Sequence, residues 1–170
     1  MLWRLNKDSA KKLKRELLDE LLKKARTELI DLTRAALETK NFATDQEFKA
    51  ESKYDTRALE ASYLASAEAK RVEELKLEIQ ILEEVDLAAT ERTGEISIGA
   101  LVELSHGERQ MLYFLIPTAG GTLLKIGESA VVVVSVFSPI GDAMLGLKAR
   151  DQFEVETPKE TRTYEVLSFY

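Results

Sequence analysis

The distribution of glycine and proline divides this chain of 170 residues into two parts. Residues 9–86 contain neither residue type, whereas all eight glycines and all three prolines lie between positions 94 and 158. Both residue types are disfavoured inside helices and are frequent in turns. The sequence therefore predicts a helical first domain over residues 1–90 and a second domain of short, turn-connected elements over residues 95–170.

Composition excludes several classes of function. Charged residues make up 32% of the chain and the formal net charge is −6, so no general basic surface for duplex nucleic acid is expected. The chain has no cysteine and one histidine, which excludes disulfides and argues against a transition-metal site built from this chain alone. Its first residues are too charged for a signal peptide or a membrane span. We expect a cytoplasmic protein without a membrane partner.

Two apolar stripes with coiled-coil spacing run through the helical part. Steps of four and three relate the residues of the first stripe, which are Leu18, Leu22, Ala25, Leu29, Leu32 and Ala36. The second stripe alternates in the same way, with Glu68 as its polar member, over Ala58, Ala61, Ala65, Glu68, Val72, Leu75, Ile79 and Leu82. Such spacing is typical of coiled-coil packing. We predict an antiparallel hairpin within a monomer, and a coiled coil between two chains is the alternative.

The ends of the two helices follow from local signals. Asp8 or Ser9 is predicted to cap the first helix, and residues 39–46 are predicted to form the turn, with Asn41 and Asp45 as turn or cap residues. An arm of about 30 residues spans roughly 45 Å as a helix. A compact domain of about 75 residues has a radius of gyration of only about 11 Å. We therefore expect much of the hairpin to project into solvent or into a partner.

The second domain shows strand and turn patterns. Alternating or continuous apolar runs predict strands at residues 96–106, 109–117, 130–137, 152–158 and 161–170. His106 and Gly107 are expected at the turn between the first two strands. The run at 130–137 is apolar throughout, which predicts a central strand covered on both faces.

A short helix is predicted between the third and fourth of these strands. Ser138 suits the N-cap, Pro139 suits the first helical position, and Gly146 suits the position just past the end. One helix on an antiparallel sheet gives an α+β domain.

The sequence from Val134 to Tyr170 resembles the C-terminal domain of bacterial Gre transcription elongation factors. The residues that match the family pattern are Ser138, Pro139, Leu145, Gly146, Asp151, Thr157, Pro158, Tyr164, Glu165 and Val166. The segment "ISIGALVEL" also resembles the family's entry strand. The resemblance implies an FKBP-like α+β fold after an antiparallel coiled-coil hairpin. It also implies that this domain docks on RNA polymerase, with Ser138, Pro139 and Gly146 as its motif, and that the hairpin enters the secondary channel.

The tip of the hairpin, near residues 40–56, carries charges of alternating sign. Acidic residues recur there at steps of four, as do basic ones: Glu47, Glu51 and Asp55, with Lys49, Lys53 and Arg57. In Gre factors that stimulate transcript cleavage, a Gly-Asp-Leu-x-Glu-Asn motif at the tip supplies two carboxylates to a Mg²⁺ ion in the polymerase. Mg²⁺ prefers oxygen ligands, and a second metal assists phosphodiester hydrolysis.

This chain lacks that motif, so its candidates are assigned by position. Glu51 and Asp55 share one helix face and are the first choice, with Glu47 and Asp45 as alternatives. Ordinary surface charge is the other interpretation of the same residues. Phe48 and Tyr54 either contact the channel or close the hairpin end as a small hydrophobic plug.

The resemblance implies a factor that is not itself an enzyme and has no cofactor of its own. It would rescue backtracked or paused complexes by stimulating the polymerase's own transcript cleavage, with Mg²⁺ shared with the polymerase. Nucleic acid would be met only indirectly, through the polymerase complex. A secondary-channel competitor without cleavage-stimulating activity is the alternative.

Overall fold

A computed structural model describes residues 5–44 and 57–170 of the chain. The elements in order are α1 (Lys7–Thr44), α2 (Arg57–Glu83), α3 (Ala89–Thr93), β1 (Leu101–His106), β2 (Arg109–Ile116), β3 (Thr122–Ile126), β4 (Ser129–Ser135), α4 (Pro139–Met144), β5 (Gln152–Glu156) and β6 (Thr161–Phe169). Within the described ranges, no helix is long and apolar enough to cross a membrane.

The chain forms two compact units. The sheet unit consists of Met1–Leu21 and Ile81–Tyr170, and the hairpin unit consists of Leu22–Gln80. The first turns of α1 and the end of α2 therefore group with the sheet. The sequence-based boundary between residues 90 and 95 stays a prediction.

The beginning of α1 is capped by Asn6. Its side-chain oxygen accepts a hydrogen bond from the Ser9 amide at 2.7 Å, and the Asn6 amide donates to the Ser9 hydroxyl at 3.0 Å. This reciprocal pair is a capping box with serine in the third helical position. The prediction that Asp8 or Ser9 caps the helix is wrong, because Asn6 takes that role and Ser9 is its partner.

The hairpin unit buries the two predicted stripes against each other. Ala25 of α1 lies in one apolar cluster with Leu75 and Ile79 of α2, and further α1 side chains pack on it: Leu22, Leu29 and Leu32. The intrachain antiparallel hairpin is therefore confirmed over this stretch. The predicted turn at 39–46 is wrong for 39–44, because α1 continues to Thr44. No helix breaker occurs in that segment, so the helical hydrogen bonds continue past Asn41.

The sheet has six strands in the order β3-β4-β2-β1-β6-β5. All neighbouring pairs are antiparallel except β2 and β4, which pair in parallel from Leu112–Val131 to Ile116–Ser135. The mixed α+β class is confirmed, whereas the expectation of a wholly antiparallel sheet is wrong at this pair. The physical reason is β3, which the sequence analysis missed. Because β3 adds one chain reversal after β2, β4 runs in the same direction as β2. In the sheet, β4 lies between β3 and β2.

The core of the sheet unit lies on both faces of the central strands. On one face the cluster includes Tyr113 and Leu115 of β2 with Met144 of α4. The alternate residues Leu112, Phe114 and Ile116 point to the opposite face and are also buried. In β4 the successive residues Val133 and Val134 are both buried, as predicted for a strand covered on both sides.

Both predicted hairpins are confirmed. His106 pairs with Arg109 across the turn at Gly107, and β5 pairs with β6 from Gln152–Glu165 to Glu156–Thr161. The His106 ring nitrogen Nδ1 lies 2.9 Å from the carbonyl oxygen of Thr163. This histidine thus ends β1 and joins it to β6.

Candidate functional site

The turn before α4 is held by one serine hydroxyl. Ser138 Oγ accepts a hydrogen bond from the Gly141 amide at 3.1 Å and donates to the carbonyl oxygen of Ser135 at 2.7 Å. Pro139 occupies the first helical turn. The predicted cap and proline positions are confirmed. Because both hydrogen bonds of the hydroxyl go to the backbone, Ser138 fixes the turn rather than presenting a reactive group.

Close backbone packing holds the same turn from the other side. A Cβ on Gly120 would lie 2.7 Å from the Ser135 amide nitrogen, and a Cβ on Gly141 would lie 2.0 Å from the Ser135 carbonyl oxygen. The Ser135 hydroxyl donates to the Pro117 carbonyl at 3.1 Å. Three chain segments therefore meet at Ser135 with no room for side chains at positions 120 and 141.

This rigid turn presents an aromatic side chain to solvent. Phe137 is 86% exposed, and its amide donates to the Ser135 hydroxyl at 3.2 Å. Pro139 is also exposed, and Leu145 at the end of α4 is 45% exposed. Gly146 follows with φ of 78° and donates its amide to the Ile96 carbonyl at 2.8 Å. Phe137 is a candidate protein contact, because aromatic residues are enriched among those that carry binding energy at protein interfaces.

Sequence reasoning missed Phe137 as a candidate contact. The signal for it is local: an aromatic residue directly precedes a serine–proline cap, at the point where the chain leaves the sheet. We call Phe137, Ser138, Pro139 and Leu145 the docking turn.

A groove of about 560 Å³ opens beside Leu145 in the sheet unit. Apolar residues form most of its lining, which includes Ile81, Val85, Ile96, Ile98, Pro117 and Leu145, and acidic residues also line it, Glu84, Asp86 and Glu95. A hydrogen bond from Arg92 lowers the pKa of the Asp86 carboxyl, and the Ala88 amide lowers it further. Asp86 thus stays charged and is paired with Arg92, so the negative charge that the groove offers to a basic partner segment comes from Glu84 and Glu95.

In the hairpin unit, the charged groups described form a surface network. Arg71 of α2 forms an ion pair with Glu28 of α1 at 3.2 Å, and its guanidinium lies 3.7 Å from the carboxylate of Glu74. Partial burial raises the pKa of Glu78. The positive charge of Arg71 acts to lower this pKa, and the negative charge of Glu28 acts to raise it. Half-exposed pairs of this kind contribute little to stability.

Large apolar side chains are exposed along the described hairpin, Ile30 and Leu77 among them. Leu37 of α1 is 56% exposed, and Tyr63 and Leu64 of α2 are 69% and 53% exposed. These residues precede and follow the predicted tip along the chain.

The predicted tip residues Asp45, Glu47, Phe48, Glu51, Tyr54 and Asp55 lie outside the described residues. Their roles, and the shared Mg²⁺ site, therefore stay predictions. Within residues 5–44 and 57–170, no group of three or more histidine or acidic residues is arranged to hold a metal ion.

Comparison with known proteins gives one family match. Residues 91–170 match the family model described as "Transcription elongation factor, GreA/GreB, C-term". No curated protein matches the chain.

Several solved structures are similar at low identity. Gfh1 of Thermus aquaticus is 19% identical with a TM-score of 0.37, over 94% of this chain and 95% of that one. Gfh1 of Thermus thermophilus is 22% identical with a TM-score of 0.37, over 91% and 93%. A GreA/GreB factor from Nitrosomonas europaea is 16% identical with a TM-score of 0.34, over 44% and 59%. At these scores the structural likeness adds nothing to the family match.

Proposed function

We propose that this chain acts as a transcription elongation factor of the GreA/GreB type, because residues 91–170 match the family model of its C-terminal domain, and that it docks on RNA polymerase through the docking turn. The observation that carries the proposal is Phe137, which is 86% exposed on a turn that Ser135 and Ser138 hold rigid. An aromatic contact on a backbone that is already fixed binds at a lower ordering cost. The acidic residues of the adjacent groove favour a polymerase segment with basic side chains.

The helical hairpin is the part that reaches the polymerase active site. It enters the secondary channel, and the tip carboxylates Glu51 and Asp55 help to hold a Mg²⁺ ion that the polymerase also binds. The polymerase then cleaves its own backtracked transcript. In this proposal the chain is not itself an enzyme and brings no cofactor, since the second metal is bound only in the complex.

A second candidate function rests on the sequence of the tip. The chain lacks the Gly-Asp-Leu-x-Glu-Asn motif, and no register places two acids at its positions. A factor that occupies the channel without supplying the metal ligands would compete with cleavage-stimulating factors and change pausing or initiation.

One assay separates the two functions. Purified chain is added to backtracked RNA polymerase with Mg²⁺, and the transcript is followed from its 3′ end. Cleavage that is lost in the Glu51→Gln, Asp55→Asn double variant supports the stimulating function, and the exposed Glu38→Gln serves as the matched control. Binding without cleavage supports the competitor. Absence of both binding and cleavage contradicts the proposal as a whole.

The remaining parts of the proposal follow from the mode of action. The chain acts as a monomer in the cytoplasm, and it meets nucleic acid only through the polymerase complex. Light scattering of the free chain and of its polymerase complex tests the stoichiometry, and a dimer in either would contradict the monomer.

A further inference from the structure

The turn between α4 and β5 holds an arginine in a backbone conformation that favours glycine. A hydrogen bond from the Asp151 amide to the Lys148 carbonyl oxygen at 3.1 Å closes this turn, which we call the basic turn. Its third residue, Arg150, has φ of 74°, whereas the φ of Ala149 before it is not positive. This is the pattern of a type II turn, in which glycine or asparagine is preferred at the third position. In the described part of the chain, Ala119 is the other non-glycine residue with a positive φ.

Hydrogen bonds on every side hold Arg150 in this conformation. Its amide donates to the Val166 carbonyl oxygen at 2.7 Å, and the Val166 amide donates to the Asp151 carbonyl oxygen at 2.9 Å. The Asp151 carboxylate accepts a hydrogen bond from the Lys148 amide at 2.7 Å. A side chain on a backbone with positive φ meets a steric cost that glycine avoids. Residues strained in this way cluster where the side chain has a role in function.

The Arg150 side chain does not offset this strain within the chain. It is exposed, and it forms no hydrogen bond or ion pair with the residues that the structure describes. By contrast, Arg92 and Arg162 of the same unit pair with Asp86 and Glu160. The guanidinium of Arg150 is therefore a cation on a fixed backbone that is available to a partner.

The charge of the basic turn indicates the chemistry of that partner. Lys148 is also exposed, and within residues 5–44 and 57–170 its side chain has no hydrogen-bond or ion-pair partner. The carboxylate of Asp151 bonds to backbone. Two cations in a chain of net charge −6 are a poor site for a nucleic-acid backbone. A single arginine, however, binds a carboxylate through two parallel N–H···O bonds, so the turn favours an acidic protein segment.

The basic turn directly follows the docking turn. The Gly146 amide donates to the Ile96 carbonyl oxygen at 2.8 Å, and the Ile96 amide donates to the Leu147 carbonyl oxygen at 2.9 Å, so the link between the two turns is fixed. The five residues from Leu145 to Arg150 span at most about 18 Å. An interface that buries about 800 Å² on each partner is wider than that. A partner on the docking turn therefore reaches Arg150 as well.

We propose that Arg150 is a polymerase contact, and that its guanidinium binds a carboxylate of an acidic RNA polymerase segment beside the element that meets the docking turn. The inference rests on the proposed function, because it requires docking on the polymerase. It adds the chemical class of the group that is bound. Since Glu84 and Glu95 of the groove favour a basic segment, the two turns together would also fix the orientation of the partner.

Two measurements on variants of the full chain test this proposal: thermal unfolding of the free chain and its affinity for core RNA polymerase without nucleic acid. Arg150→Gly removes both the strain and the guanidinium. Its unfolding temperature should rise by about 1–3 °C, and its affinity should fall about tenfold. Arg150→Lys keeps the strain and the charge but loses the paired N–H donors. It should unfold at the parent's temperature and bind about threefold more weakly than the parent.

Lys159→Gln is the matched control. Lys159 is an exposed cation in the turn between β5 and β6 of the same unit, and its φ is not positive. Its removal should leave the affinity within about twofold of the parent's.

The outcomes separate this inference from the proposed function. If the parent binds the polymerase and Arg150→Gly binds no more weakly than Lys159→Gln, only this inference is overturned. A lower unfolding temperature for Arg150→Gly would also overturn it, because the arginine would then stabilise the free fold. A loss of affinity that appears only when template and transcript are bound would place Arg150 on a phosphate and overturn the carboxylate contact. Absence of binding by the parent contradicts both proposals.

Discussion

Gly141 lies against Ser135 so closely that a Cβ at position 141 would stand 2.0 Å from the Ser135 carbonyl oxygen. The same carbonyl oxygen accepts a hydrogen bond from the Ser138 hydroxyl at 2.7 Å. The end of β4 and the first turn of α4 are thus fixed to each other, and Phe137 lies between them. The position of the exposed aromatic ring depends on a contact that only glycine permits.

Replacement of Gly141 by alanine should therefore disturb the docking turn. The added methyl group meets backbone rather than a flexible side chain, so we expect a loss of about 1–3 kcal/mol in the free energy of unfolding. Affinity for RNA polymerase should fall as well. Chemical denaturation of Gly141→Ala measures the first effect. Asp142→Ala, at the next and exposed position, is the control and should change stability by no more than about 0.5 kcal/mol.

Phe137 should contribute to the affinity for RNA polymerase and not to the stability of the folded chain. Because its ring is 86% exposed, Phe137→Ala should leave the unfolding free energy within about 0.5 kcal/mol of the parent's. Polymerase affinity should drop at least tenfold, roughly the effect of losing an aromatic anchor. The control is Leu123→Ala, which removes a 55% exposed side chain from β3. Equal affinities for the two variants would show that the docking turn is not the contact.

Glu68 should destabilise the hairpin unit. It occupies a position of the apolar stripe on α2, and its Oε2 atom is buried without a hydrogen-bond partner in the described part of the chain. Burying an unpaired polar atom costs free energy, so Glu68→Leu should raise the free energy of unfolding by about 1 kcal/mol. Thermal unfolding checks this. Glu73→Leu changes the same residue type at an exposed position of the same helix and should not stabilise the protein.

Stability should also depend on the titration of Lys14. Burial lowers its pKa in the folded state below the ordinary value of 10.5. At pH values between the folded-state pKa of Lys14 and its ordinary pKa, the unfolded chain binds more protons than the folded one. The contribution of Lys14 to stability therefore rises with pH in that window. The parent should gain stability relative to Lys14→Met as pH approaches 10.5 from below. Denaturation curves of both proteins across that window check the sign, and a constant difference would contradict it.

The helical hairpin was predictable because burial in a coiled coil follows a fixed period. Ala25, Leu75 and Ile79 meet in the structure as their spacing requires. The caps of α4 were predictable for a similar reason, since Ser138 and Pro139 act within one turn of helix. Local chemistry decides both features.

The features that sequence reasoning missed depend on contacts between distant residues. The parallel pairing of β2 and β4 follows from the insertion of β4 between two strands, which no local pattern encodes. Lys14 meets the carbonyl of Tyr170 across 156 positions of sequence.

The central claim is that the chain binds RNA polymerase as a GreA/GreB factor does. Fluorescence anisotropy of the labelled chain, titrated with core RNA polymerase, tests it most directly when a cleavage-stimulating GreA/GreB factor is then added as competitor. The account predicts saturable binding that the competitor displaces. Absence of binding, or binding that the competitor leaves unchanged, would contradict it.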